Sequence, residues 1–83
     1  MTRNQDIRAE ILLQLYAARP LALSAAAMAR SARKSGLDHT ELDYLREMPV
    51  LIDSDHVAVM ESPTGESKFS LTGQGVKDHE RGL

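Results

Sequence analysis

The sequence lacks features that several classes of protein require. It contains no cysteine, which excludes a disulfide framework and a thiolate metal site. No apolar run approaches the roughly 20 residues of a membrane-spanning helix. The alanine-rich stretch around residues 20–28 lies too far from the N-terminus to be a secretory signal. We therefore expect a soluble, cytoplasmic protein with no membrane partner.

An excess of positive charge is also absent. Ten Lys and Arg residues stand against twelve Asp and Glu residues, for a formal net charge of −2, whereas nucleic-acid-binding domains usually carry surplus positive charge. The 83 residues are 42% hydrophobic and 27% charged, a composition typical of a small folded domain and too apolar for a disordered chain. The composition predicts a single domain over 1–83 with one core, and its charge counts against DNA.

No pattern of residues indicates catalysis or metal binding. The run "SARK" (31–34) matches the S-x-x-K string of serine acyl enzymes, but the companion motifs are missing. "TGQG" (72–75) lacks the lysine and the length of a phosphate-binding loop. No two of the three histidines have the helical spacing of metalloprotease ligands; they are His39, His56 and His79. We predict no enzymatic activity, no cofactor and no bound metal.

The first half of the sequence carries two helical patterns. Apolar residues at spacings of three and four predict an amphipathic helix over about 3–19, ended by Pro20. Ser24 can cap a second, alanine-rich helix over about 24–35, and Gly36 suits the positive φ that often follows a helix.

A third helix is predicted over about 39–48. Asp38 and Glu41 have the spacing of a capping box, and Pro49 should end the helix. We expect Leu42 and Leu45 to form its buried side. The opposite side would then be acidic, carrying Thr40, Asp43, Tyr44 and Glu47.

Beyond Pro49 the pattern changes to the alternation of strands. "HVAVME" and "KFSL" alternate apolar and polar residues, and "SPTGE" between them contains a turn-forming proline and glycine. We predict a β-hairpin over about 56–72. The tail 76–83 can extend a short helix begun near Thr72, but it is polar enough to fray.

Three helices followed by a hairpin, in this order and at these lengths, resemble a winged-helix domain. "FSLTGQG" (69–75) is similar to the aromatic-x-Leu-Thr-x-x-Gly segment that follows the wing in bacterial MarR- and PadR-type regulators. The resemblance implies an α+β fold: a three-helix winged-helix domain with a C-terminal two-stranded β-hairpin wing. It further implies that Leu71 is in the core, that Thr72 caps a helix and that Gly75 is closely packed.

The same resemblance implies a small bacterial or phage transcriptional regulator that binds double-stranded DNA. About three to five phosphate contacts are predicted, from Arg30, Arg33, Lys34 and Lys68, while His39, Thr40 and Tyr44 would approach bases. The alternative is a protein-interaction module that binds no DNA and presents the acidic side of the third helix to a basic partner. A homodimer would have to use the first helix or the wing.

Overall fold

The structure, a computed structural model, describes residues 2–82. It has α+β architecture, with three helices followed by a two-stranded antiparallel hairpin and a fourth helix. In chain order the elements are α1 (Arg3–Ala18), α2 (Ala25–Lys34), α3 (Glu41–Asp53), β1 (Val57–Glu61), β2 (Ser67–Leu71) and α4 (Gly73–Glu80). None of the helices within 2–82 is long and apolar enough to cross a bilayer.

The first two helices follow their sequence signals. Thr2 caps α1 in a capping box, in which its hydroxyl accepts from the Gln5 backbone N–H and the Gln5 side chain accepts from the Thr2 N–H. Ser24 caps α2, as predicted, by accepting from the backbone N–H of Ala27. One stripe of α1 and most of the alanines of α2 supply the core; its members include Ile7, Ile11, Leu15, Met28, Ala29 and Ala32.

The predicted bounds of the third helix are wrong at both ends. Thr40, not Asp38, is the cap, and it forms its capping box with Asp43. The helix continues through Pro49 to Asp53. Pro49 lies on the exposed side of α3, so the carbonyl one turn earlier, at Leu45, loses its helical partner on the side that water can reach.

The predicted rotation of this helix is also wrong. Leu42 and Leu45 are 54% and 42% exposed, whereas Tyr44 is fully buried. Tyr44 belongs to the buried stripe with Met48 and Leu51, at spacings of four and three residues. The leucines therefore face outward, and the side that was expected to be acidic and exposed packs against the rest of the domain.

The predicted hairpin is present and is joined by a third extended segment. β1 and β2 pair so that Val57 lies opposite Leu71 and Val59 opposite Phe69. On the other edge of β2, Leu23 exchanges two backbone hydrogen bonds with Phe69, at 2.9 and 2.8 Å. Phe69 is therefore held from both sides and is buried, while its partner Val59, on the edge strand β1, is exposed.

The base of the hairpin is fastened to α4, and the roles implied for Thr72 and Gly75 are confirmed. Thr72 caps α4 by accepting from the backbone N–H of Gly75 at 3.0 Å. A Cβ at Gly75 would lie 2.3 Å from the carbonyl oxygen of His56. Leu71 packs against the core as a partly buried side chain. The tail expected to fray is thus helical as far as Glu80; its last residue, Leu83, lies outside the described range.

Candidate nucleic-acid interface

Two arginines of α1 hold the carboxylates on the inner side of α3. Arg3 binds Asp38 at 3.1 Å and Asp43 at 2.9 Å, and Arg8 binds Glu47 at 2.7 Å. The hydrogen bond from Arg3 lowers the pKa of Asp38 below its usual value. For Asp43, the backbone N–H of Thr40 is the main cause of a lowered pKa, and Arg3 adds to it. All three carboxylates are paired with arginines within the domain.

The acidic protein-binding face predicted from the sequence is therefore not an exposed surface. Tyr44 and Glu47 are buried, and Asp43 is largely covered by Arg3. Only Thr40 of that set is exposed, and its hydroxyl is used as the cap of α3. The prediction failed because it took Leu42 and Leu45 as the buried side of the helix. Tyr44 and Glu47 were thereby placed outside, although each has a polar partner inside.

The proposed base contacts by Tyr44 and His39 are contradicted by the same packing. The Tyr44 hydroxyl lies 2.9 Å from Nδ1 of His39, which is itself buried. Burial raises the pKa of Tyr44 to about 12, so the hydroxyl stays protonated and can donate to that nitrogen. Neither side chain can reach a base while the domain keeps this packing.

The outer face of α3 is formed instead by residues that sequence analysis had placed in the core or left out. Its members are Glu41, Leu42, Leu45, Arg46 and Pro49, all exposed. Arg46 is the one cation of α3, and it was missing from the predicted contacts. If Tyr44 is taken as the centre of the buried side, two residues of helical period place Arg46 on the opposite, exposed side.

The four cations predicted to contact phosphates are all exposed. Arg30, Arg33 and Lys34 lie in the C-terminal half of α2, and Lys68 lies on β2 opposite Met60. Within residues 2–82 none of these four, nor Arg46, forms an ion pair. Their donors are available to a ligand, in contrast to those of Arg3 and Arg8.

Two shallow clefts lie around the start of α3, and Arg33 lines one of them. A cleft of about 240 Å³ is lined by Arg33 of α2 together with Thr40 and Glu41. A second, of about 270 Å³, is lined by Glu41 and Leu45 of α3, the start of α2, and Glu66 and Ser67 at the wing. The start of α3 therefore adjoins the basic end of α2 on one side, and the start of α2 and the turn end of the wing on the other.

A third cleft, of about 440 Å³, lies among α1, the end of α3 and α4. On its rim Ser54 Oγ is 2.6 Å from Nδ1 of His56, and Asp78 is 2.6 Å from Nε2. This order resembles that of a hydrolytic triad, but the backbone N–H groups of Asp55 and His56 donate to carbonyls of α3 and cannot form an oxyanion hole. The cluster links the base of the wing to α4.

No group of three or more His, Asp or Glu side chains suited to a metal occurs within the described part of the chain.

No protein-family model matches the sequence, and no curated protein matches it. Among solved structures, the chain is similar to a PadR-like transcription factor from Bacteroides fragilis, with a TM-score of 0.74 and 20% identity over 96% of this chain and 82% of that one. The shared feature at this identity is the fold.

Two further solved structures have the same fold. The ferric uptake regulator of Vibrio cholerae gives a TM-score of 0.64 at 18% identity, covering 88% of this chain and 63% of its own. A variant of ZitR from Lactococcus lactis gives a TM-score of 0.67 at 17% identity, covering 99% of this chain and 50% of its own. The chain thus spans between half and two thirds of these two proteins. The winged-helix fold predicted from the sequence is confirmed.

Proposed function

We propose that this protein is a non-catalytic transcriptional regulator of bacterial or phage type that binds double-stranded DNA, with α3 in the major groove. The observation that carries the proposal is that two carboxylates of α3 are paired on its inner side, which leaves Arg46 and Glu41 as the charges of its outer face. Its inner carboxylates, Asp43 and Glu47, are paired with arginines of α1, while Arg46 faces outward and unpaired. The solved structures with this fold include a transcription factor and a regulator with DNA-binding domains, which supports the same function.

The number of free cations supports a moderate affinity. Four phosphate contacts, from Arg30, Arg33, Lys34 and Lys68, give a slope of log affinity against log salt of about −3.6. Binding would weaken roughly a hundredfold between 50 and 200 mM salt. The net charge of −2 opposes binding less than it would if Asp43 and Glu47 were exposed on the outer face of α3, because both are paired with arginines of α1 on its inner side. Glu41 and Glu66, which line the clefts there, reduce the affinity.

Fluorescence anisotropy with a labelled random duplex, titrated from 50 to 200 mM salt, tests the proposal. Arg33→Ala should weaken binding to all sequences alike and flatten the salt slope by about one. The matched control is Lys77→Ala, which removes an exposed, unpaired lysine of α4 and should leave the slope unchanged. No binding below about 100 μM at low salt would overturn the DNA function.

A second candidate function is a protein-interaction module, favoured by the apolar side chains on the surface of α3. Leu42, Leu45, Pro49 and Val50 are all exposed there. Under this function the protein would fail the DNA titration, and Leu45→Asp would abolish capture of the partner. A homodimer through α1 or the wing is likewise a proposal, which sedimentation velocity would test.

A further inference from the structure

The outer face of α3 combines one free cation with two exposed leucines. Leu42 is 54% and Leu45 42% exposed, and they lie within one turn of Arg46. Exposed leucines at this position call for an apolar ligand, since the helix already has Tyr44, Met48 and Leu51 for the core. The cations of α2 and the wing outnumber Glu41 and Glu66 around this face, which favours an anionic ligand.

The spacing of these side chains limits how much of a DNA duplex they can reach. From residue 42 to residue 46 an α-helix rises about 6 Å, which is less than two base-pair steps of about 3.4 Å. The leucines and the arginine would therefore meet two or three neighbouring base pairs. In the major groove, the 5-methyl of thymine is the apolar group on the base edges, and guanine O6 and N7 match the fork of an arginine.

We infer that this protein reads thymine methyl groups beside a guanine, with Leu42 and Leu45 contacting the methyls and Arg46 binding guanine O6 and N7. The inference rests on the proposed function and extends it from DNA in general to a particular set of base edges. Glu41, at the N-terminal end of the same face, is placed to accept from the N4 amine of a neighbouring cytosine.

The test uses the full chain and a duplex enriched from a random pool by the wild-type protein. The duplex is then made with deoxyuridine in place of thymidine, which removes only the methyl groups, or with 7-deazaguanine, which removes N7. Each lost methyl contact should weaken binding about fourfold. Removing N7 breaks one of the two hydrogen bonds of the guanine contact and should weaken binding roughly 2- to 10-fold, about half of the free energy of a full bidentate pair.

Variants assign the contacts to residues. Leu45→Ala should bind the thymine duplex about fourfold more weakly and lose most of its preference for thymine over uracil. Leu42→Ala should show the same fourfold loss of affinity and the same loss of preference for the thymine that Leu42 contacts. Arg46→Ala removes the donors to guanine, so the 7-deazaguanine duplex and the guanine duplex should bind it nearly equally. All three side chains are exposed, so melting temperatures should match the wild type.

The outcomes separate this inference from the function beneath it. Wild-type protein that binds the thymine and uracil duplexes equally well overturns the inference and leaves the DNA function standing. A uracil penalty that persists undiminished in both leucine variants overturns the assignment to α3. Absence of any DNA binding overturns both.

Discussion

Replacing Gly75 by alanine should destabilise the protein although the residue lies in a helix. The new Cβ would stand 2.3 Å from the carbonyl oxygen of His56, where ordinary contacts begin at 3.4 Å. That carbonyl accepts from the Thr72 backbone N–H at 3.0 Å, and the ring of the same residue binds Asp78. Because the carbonyl is held on both sides, the clash should cost about 1–3 kcal/mol. This outweighs the gain of roughly 1 kcal/mol that alanine normally brings to a helix.

Urea denaturation with linear extrapolation measures this change in the free energy of unfolding. The matched control is Gly73→Ala in the same helix, where an added Cβ has no atom within 4 Å; it should be neutral or stabilising by up to about 1 kcal/mol. The Gly75 variant should also melt lower, by about 4–8 °C for each kcal/mol lost. A Gly75 variant as stable as the Gly73 variant would show that α4 does not pack this closely on the base of the wing.

Two further predictions concern buried and partly buried polar pairs. Tyr44→Phe leaves Nδ1 of His39 without its partner and should lower the free energy of unfolding in urea by about 1–2 kcal/mol. The control Tyr16→Phe loses a hydrogen bond to Glu80 near the surface and should lower it by less than about 0.5 kcal/mol. Equal losses in the two variants would argue against a buried His39–Tyr44 hydrogen bond. The hydrogen bond from His56 lowers the pKa of Asp78, so this carboxylate stabilises the folded protein above its unfolded pKa of about 3.9 and stops doing so as the pH falls through the lower folded pKa. Asp78→Asn should therefore make the free energy of unfolding depend less on pH in this acidic range. An unchanged dependence on pH would contradict the His56–Asp78 pairing.

Local signals in the sequence accounted for most of the fold. Ser24 and Thr72 cap helices through contacts three residues away, and the hairpin follows from alternation around a Pro–Gly turn. Such features depend on neighbours along the chain, which a sequence displays directly. The wrong cap of α3 had a local cause as well, since Asp38–Glu41 and Thr40–Asp43 both have capping-box spacing and only the second forms.

The rotation of α3 could not be predicted in this way. Tyr44 and Glu47 are buried because Glu47 has Arg8 as a partner 39 residues away, and Tyr44 has His39 across the corner before α3. A scale of hydrophobicity places leucine inside before tyrosine or glutamate, and it cannot register a partner on another helix. The same error left Arg46 out of the predicted contacts. The predicted site was therefore wrong for the residues of α3, whereas the flanking cations are exposed as expected.

The bridge between Leu23 and Phe69 fixes where the wing can bend. Phe69 is bonded on one side to the segment before α2 and paired on the other with Val59, so the strands cannot swing about their lower ends. Any movement must pivot at or beyond this rung, in the part that includes the turn at Gly65. Lys68 is the first residue past this rung, so it should move less relative to the body of the domain than the residues of the turn.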